Sequence, residues 1–151
     1  VGVHASVPNI LIHANPRTGL EAKFSGEFAA AAALVEERLG IQTFTDEKVQ
    51  DPAIRALLPR VRVSVDPEIP GDLERHMWSR VRVRLTDGRT FEIGPRQVPG
   101  HPGNPLSADQ LREKFESCAA VTLSLERVQA VRAMVEGLEG CPDLRSFTAI
   151  L

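Results

Sequence analysis

Glu21-Ala22-Lys23-Phe24-Ser25-Gly26-Glu27-Phe28 runs directly into five consecutive alanines, Ala29 to Ala33, and on to Leu39. An i, i+4 rhythm places Phe24, Phe28, Ala32, Val35 and Leu39 along one helical face. The alanines let a neighbouring element approach closely. The stretch therefore reads as a buried helix with a polar entrance and a C-cap at Gly40. Lys23 and Ser25 have no place on the apolar stripe. A lysine anchors carboxylates electrostatically, and a helix N-terminus offers free N–H donors to an anion, so this corner suits a small acidic ligand. The competing reading is an exposed lysine beside a capping serine.

Upstream, Val7 to Ala14 reads as a short strand bounded by Pro8 and the turn-forming Asn15-Pro16, with His13 just inside its end. Downstream, Thr45-Asp46-Glu47 has the hydroxyl and acids of a helix start, and Asp51-Pro52 repeats the signal with proline at the first helical position. Ile54, Leu57, Leu58 and Val61 follow at helical spacing, and Pro59 ends that helix. The period then changes to alternation. Val61, Val63 and Val65 lie opposite Arg60, Arg62 and Ser64, while Val81, Val83 and Leu85 lie opposite Arg80, Arg82 and Arg84. Asp87-Gly88 marks a hairpin, and Thr90 to Ile93 returns from it. The segment 66–77 reads as a loop.

Val98 to Leu106 is too rich in proline and glycine to be regular, and it holds His101 on a constrained loop. Ser107-x-x-Gln110 is a capping box opening a helix with Leu111, Phe115, Cys118 and Ala119 on one face. A second helix begins near Ser124, with Leu125, Val128, Val131, Val135 and Leu138 in register up to Gly140. Leu144, Phe147, Ile150 and Leu151 make an apolar tail. The fold class is α+β: a small antiparallel, or mixed, sheet covered on one face by helices, in one domain over 1–151.

Composition bounds the function. The 151 residues, 42% hydrophobic and 25% charged, suffice for a globular core. A net charge of −2 exerts no general pull on nucleic acid or anionic membrane. Cys118 and Cys141 fit no ligand spacing, and His4, His13, His76 and His101 stand at unrelated intervals, so no metal and no cofactor is expected. No apolar run approaches the roughly 20 residues of a membrane span, and a cytoplasmic protein is expected. The arginine stripe reads as a solvated face paired with acids such as Glu74 and Glu92, or else as a surface for an acidic partner.

Several phrases, in order, resemble the C-terminal domain of the MmgE/PrpD family: Glu21-Ala22-Lys23-Phe24-Ser25, Phe44-Thr45-Asp46-Glu47, Asp51-Pro52, Asp87-Gly88, Gly100-His101-Pro102-Gly103-Asn104-Pro105-Leu106-Ser107 and Lys114-Phe115. The family includes 2-methylcitrate dehydratase, cis-aconitate decarboxylase and iminodisuccinate epimerase. The resemblance implies the smaller α+β domain of a cofactor-independent lyase or isomerase acting on a small di- or tricarboxylate. It also implies that most catalytic residues lie in an all-helical domain upstream of Val1, that this chain is inactive alone, and that the complete protein is a homodimer. The substrate-binding residues it suggests here are Lys23, Ser25, Phe28 and His101. Phe28 stands where the family often has tyrosine. The alternative is a free-standing binding or oligomerisation module that uses the arginine face.

Overall fold

The computed structural model describes residues 1–72 and 78–149, with the side chains at 95, 96, 146 and 147 left aside. Two compact units divide the chain, Val1–Asn104 and Pro105–Leu151.

The first unit carries a mixed four-stranded sheet in the order β2-β1-β3-β4: β1 is Gly2–Val3, β2 Ser64–Val65, β3 Trp78–Arg84 and β4 Thr90–Gln97. β1 runs parallel to β2 and antiparallel to β3, and β3–β4 is an antiparallel hairpin. The α+β expectation holds, with the sheet mixed. The stretch 60–65 contributes fewer strand residues than its alternation suggests: Pro59 sits within a 3-10 turn at Leu58–Arg60, the chain extends from Val61, and strand pairing begins only at Ser64.

The hairpin contains an irregularity. Val81 faces Ile93, but Ser79 faces Arg96, so β4 carries one residue more than β3 across this step. Gly94 absorbs it at φ +133°, with the Ser79 carbonyl so near that a Cβ would lie 2.6 Å from it. Glycine is required there by both conformation and space.

Val7 to Ala14 is not a strand. Pro8, which lacks an N–H, helps open a 3-10 turn at Val7–Asn9, closed by the Ile10 N–H on the Val7 carbonyl at 2.9 Å. Ile10 and Ile12 are exposed, and the first strand lies earlier, at Gly2–Val3.

The expected long helix is two. α1 spans Gly19–Ala22 and α2 spans Gly26–Glu36, separated by Lys23-Phe24-Ser25. Within α2 the buried residues are Phe28, Ala31 and Ala32, while Val35 is exposed, as are Phe24 in the break and Leu39 beyond the end of the helix. α2 also ends early. Glu37 takes the left-handed conformation at φ 61° and donates its N–H to Ala33, the role expected of Gly40.

Thr45 and Asp51 cap α3 (Asp46–Val49) and α4 (Pro52–Leu57) as their sequence signals require. The helical core is Ala22, Phe28, Ala31, Ala32, Val49, Ile54 and Leu58, with Phe44, Leu57 and Val61 against it. Gly19 is the point of closest approach between α1 and α3. Its N–H donates to Asp46 at 2.6 Å, and a Cβ on it would meet the Phe44 carbonyl oxygen at 2.4 Å.

One ion pair fastens the end of α2. The Glu36 carboxylate accepts the Thr43 hydroxyl at 2.7 Å and pairs with Lys48 Nζ at 2.7 Å. The Lys48 and Thr43 hydrogen bonds hold the Glu36 pKa below the usual glutamate value. Because the folded value is the lower one, this contribution is complete above about pH 4.3 and disappears as the pH falls through the folded value. Glu36→Gln is therefore expected to lower the melting temperature at pH 7 and to flatten its decline on acidification below about pH 4. Parallel Tm-against-pH curves for the two proteins would refute the assignment.

In the second unit, Ser107 opens α5 (Ala108–Ala119) with the expected capping box, and Ser124 caps α6 (Leu125–Glu136). α6 stops at Gly137, short of Gly140, and a 3-10 turn follows at Leu138–Gly140. Arg112 pairs with Glu136 at 2.7 Å, and Arg132 pairs with Glu116. Of the expected apolar register, Val128 and Val131 are buried, whereas Leu125, Val135 and Leu138 are exposed. Backbone order continues through α7 (Leu144–Thr148). Glu74, His76, Ile150 and Leu151, for which the sequence raised expectations, lie outside the described residues.

Candidate functional site

The corner between α1 and α2 is built from chain-reversing hydrogen bonds. Lys23 caps α1, sharing its N–H between the Gly19 and Leu20 carbonyls at 3.3 and 3.2 Å, and the Ser25 N–H returns to Ala22 at 3.1 Å. Ser25 is extended, which ends one helix and starts the next. Its buried Oγ accepts the Phe28 N–H at 3.0 Å. An α-helix leaves the N–H groups of its first turn without intrahelical acceptors. Ser25 occupies one of these, and the Gly26 and Glu27 N–H groups lie beside it at the positive end of α2. Glu27, in the same turn, supplies the opposing charge.

Lys23, Ser25 and Phe28 thus come together, in different roles. The Lys23 side chain is exposed, the Ser25 hydroxyl is the cap, and Phe28 is 1% exposed with its ring centroid 5.9 Å from that of Phe44. His101 belongs to a separate loop after β4. It bridges to Asn104, and its Nδ1 accepts the Gly103 N–H at 3.0 Å, which leaves the ring proton of the neutral form on Nε2.

One neighbour of the corner escapes sequence reasoning. The His13 N–H donates to the Phe24 carbonyl at 3.1 Å, bringing a half-buried histidine to the corner from the preceding loop. No local pattern announces this contact, since it depends on how the segment after Val7–Asn9 crosses the α1–α2 break. Arg55 and Gln50 hold that loop by donating to the Pro16 and Arg17 carbonyls at 3.2 and 3.3 Å.

The description of the MmgE/PrpD C-terminal domain matches residues 1–140. The chain belongs to the MmgE/PrpD family. Cis-aconitate decarboxylase of Mus musculus is 29% identical over 136 residues, covering 90% of this chain and 28% of that protein. Cis-aconitate decarboxylase of Homo sapiens is 30% identical over 132 residues, with 87% and 27% covered. A cis-aconitate decarboxylase-like protein of Aspergillus oryzae, oryM, is 25% identical over 138 residues, with 90% and 28% covered. The chain therefore spans little more than a quarter of the length of these relatives.

Within this MmgE/PrpD domain two residues of the arginine stripe are paired with acids. Arg80 pairs with Asp66 at 2.8 Å, Glu68 at 2.5 Å and Glu92 at 3.3 Å, and Arg82 pairs with Glu92 at 2.7 Å. The Arg82 and Arg80 hydrogen bonds lower the Glu92 pKa, while the Glu68 backbone N–H followed by Arg80 lowers that of Asp66. Glu92 is the acid expected from sequence. These pairs tie Arg80 and Arg82 to acids of β4 and of the segment after β2. Among the described residues, no helix is long and apolar enough to cross a membrane.

Proposed function

We propose that this MmgE/PrpD domain forms part of a lyase or isomerase acting on a small di- or tricarboxylate, with decarboxylation of cis-aconitate as the leading reaction. The names of the relatives support that choice within the family. The carrying observation is the α1–α2 corner, where the exposed Lys23 stands beside the positive start of α2. An ammonium group and backbone N–H donors are complementary to carboxylates.

In this reading Lys23 contacts a substrate carboxylate, Ser25 and Phe28 fix the corner that presents it, and His101 supplies a second polar contact. Phe28 has no hydroxyl to donate, so the proton donor comes from elsewhere in the assembled protein. The domain contributes one wall of the cleft, and a helical domain contributes the other with most of the catalytic groups. The domain is inactive by itself. No cofactor is needed when proton and carboxylate transfer are handled by side chains. The assembled protein is a cytoplasmic homodimer, in keeping with the family resemblance.

The test joins this chain to its natural upstream region and follows CO2 release from cis-aconitate, alongside dehydration of 2-methylcitrate and epimerisation of a dicarboxylate. Turnover by the joined protein and none by the isolated chain is the expected result. A folded, complete protein that binds no polycarboxylate would overturn the reading.

A further inference from the structure

We propose that Asp87-Gly88, at the tip of the β3–β4 hairpin, is a site of spontaneous isoaspartate formation, and that the Arg89 side chain holds the reaction in check. The site concerns the covalent chain and is independent of the polycarboxylate reading. In the first step the Gly88 nitrogen bonds to Asp87 Cγ, and its proton leaves with the hydroxyl of the protonated carboxyl group as water. The product is a cyclic imide. Water then adds to either imide carbonyl, and opening at the α-carbonyl leaves the main chain running through Cγ, with the former α-carbonyl as a free carboxylate. No atom is gained or lost overall.

The turn presents what this chemistry needs. Asp87 is the one aspartate of the sequence followed by glycine, the others preceding glutamate, proline, leucine or glutamine. Its side chain is 51% exposed, and a Cβ added to Gly88 would meet nothing within 4 Å, so the imide ring has room to form. Gly88 stands at φ +89°, and glycine leaves such a conformation with little steric resistance.

The same turn also restrains the reaction. Asp87 Oδ1 accepts the Arg89 backbone N–H at 3.0 Å, and Oδ2 accepts Arg89 Nε–H at 2.8 Å. One of these held oxygens has to leave. Cγ also has to swing onto the Gly88 nitrogen, whose N–H is bonded to the Leu85 carbonyl at 3.1 Å. Arg89 is therefore the side-chain part of a restraint that the hairpin backbone completes. Once the isomer forms, one extra backbone atom enters a closed turn. The Leu85 N–H, bonded to the Arg89 carbonyl at 2.8 Å, and the Arg84–Thr90 pairing behind it then lose their register.

Peptide mapping after prolonged storage in warm buffer tests this directly. Trypsin releases Leu85–Arg89, in which the isomer has the same mass and a different retention time. The isomer is expected to accumulate faster in the guanidinium-unfolded chain than in the native protein. Arg89→Ala should speed the native reaction about two- to fivefold, the worth of an exposed ion pair, without lowering the melting temperature enough to populate the unfolded chain. Arg89→Lys, which keeps the charge without the forked donor, should fall between. Asp87→Glu, whose longer side chain closes a larger and less favoured ring, should give no isomer. Amide exchange at Leu85 should rise in step with the isomer. The proposal is overturned if the unfolded chain forms no isomer at Asp87, if the native protein forms it as fast as the unfolded chain, or if neither folded Arg89 variant ages faster than the wild type.

Discussion

Phe28→Ala is expected to cost about 3–5 kcal/mol of folding free energy, the usual range for removing a buried aromatic ring. The upper part of that range applies because of what surrounds the ring. Ala22, Ala31 and Ala32 are its companions in the core and are too small to move into the space it leaves. Phe44, in tilted contact with it, loses its aromatic neighbour as well. Domains of this size are stable by only about 5–15 kcal/mol, so the variant should unfold at a much lower denaturant concentration with little change in m-value. Phe28→Leu, which keeps most of the apolar volume, should cost clearly less than the alanine variant. A cost below about 1 kcal/mol for the alanine variant would show that the ring is not central to this core.

Lys23→Met in the complete protein is expected to reduce kcat/KM about ten- to hundredfold, the range for losing a hydrogen bond to a charged group. The change should fall mainly on KM if Lys23 grips the substrate equally in ground and transition states, and on kcat if the contact tightens during reaction. Lys23→Arg should recover part of the loss by keeping the charge. Because Lys23 is exposed at a helix end, its removal should change stability by no more than about 0.5 kcal/mol. The assignment is rejected if kcat/KM is unchanged, or if activity and stability fall together.

These two neighbouring residues show what was legible in the chain. The polar entrance was readable because Lys23 and Ser25 broke an otherwise apolar pattern, and Ser25 proved to be the cap that this break suggested. The full break was less readable. An uninterrupted i, i+4 stripe from Phe24 to Leu39 concealed both a break that leaves Phe24 outside α2 and an early end that leaves Leu39 beyond it, and both residues are exposed. Capping signals at Thr45, Asp51 and Ser107 were reliable because each is a local hydrogen bond between near neighbours. β1 escaped notice for the opposite reason. Two residues have no period, and their place in the sheet depends on partners more than sixty positions away. The His13 contact was hidden in the same way, since loop paths follow from tertiary closure.

The irregularity at Gly94 also bears on how the domain behaves in a crowded solution. β4 ends the sheet order, and its Phe91 and Ile93 side chains are 55% and 53% exposed. A flat outer strand with such residues is a template on which another molecule can build. Here the extra residue twists the strand midway, and the next position, Pro95, has no N–H to offer an incoming chain. The glycine and proline together interrupt the ladder that edge-to-edge aggregation would need, so the hairpin keeps its apolar residues without inviting fibre growth.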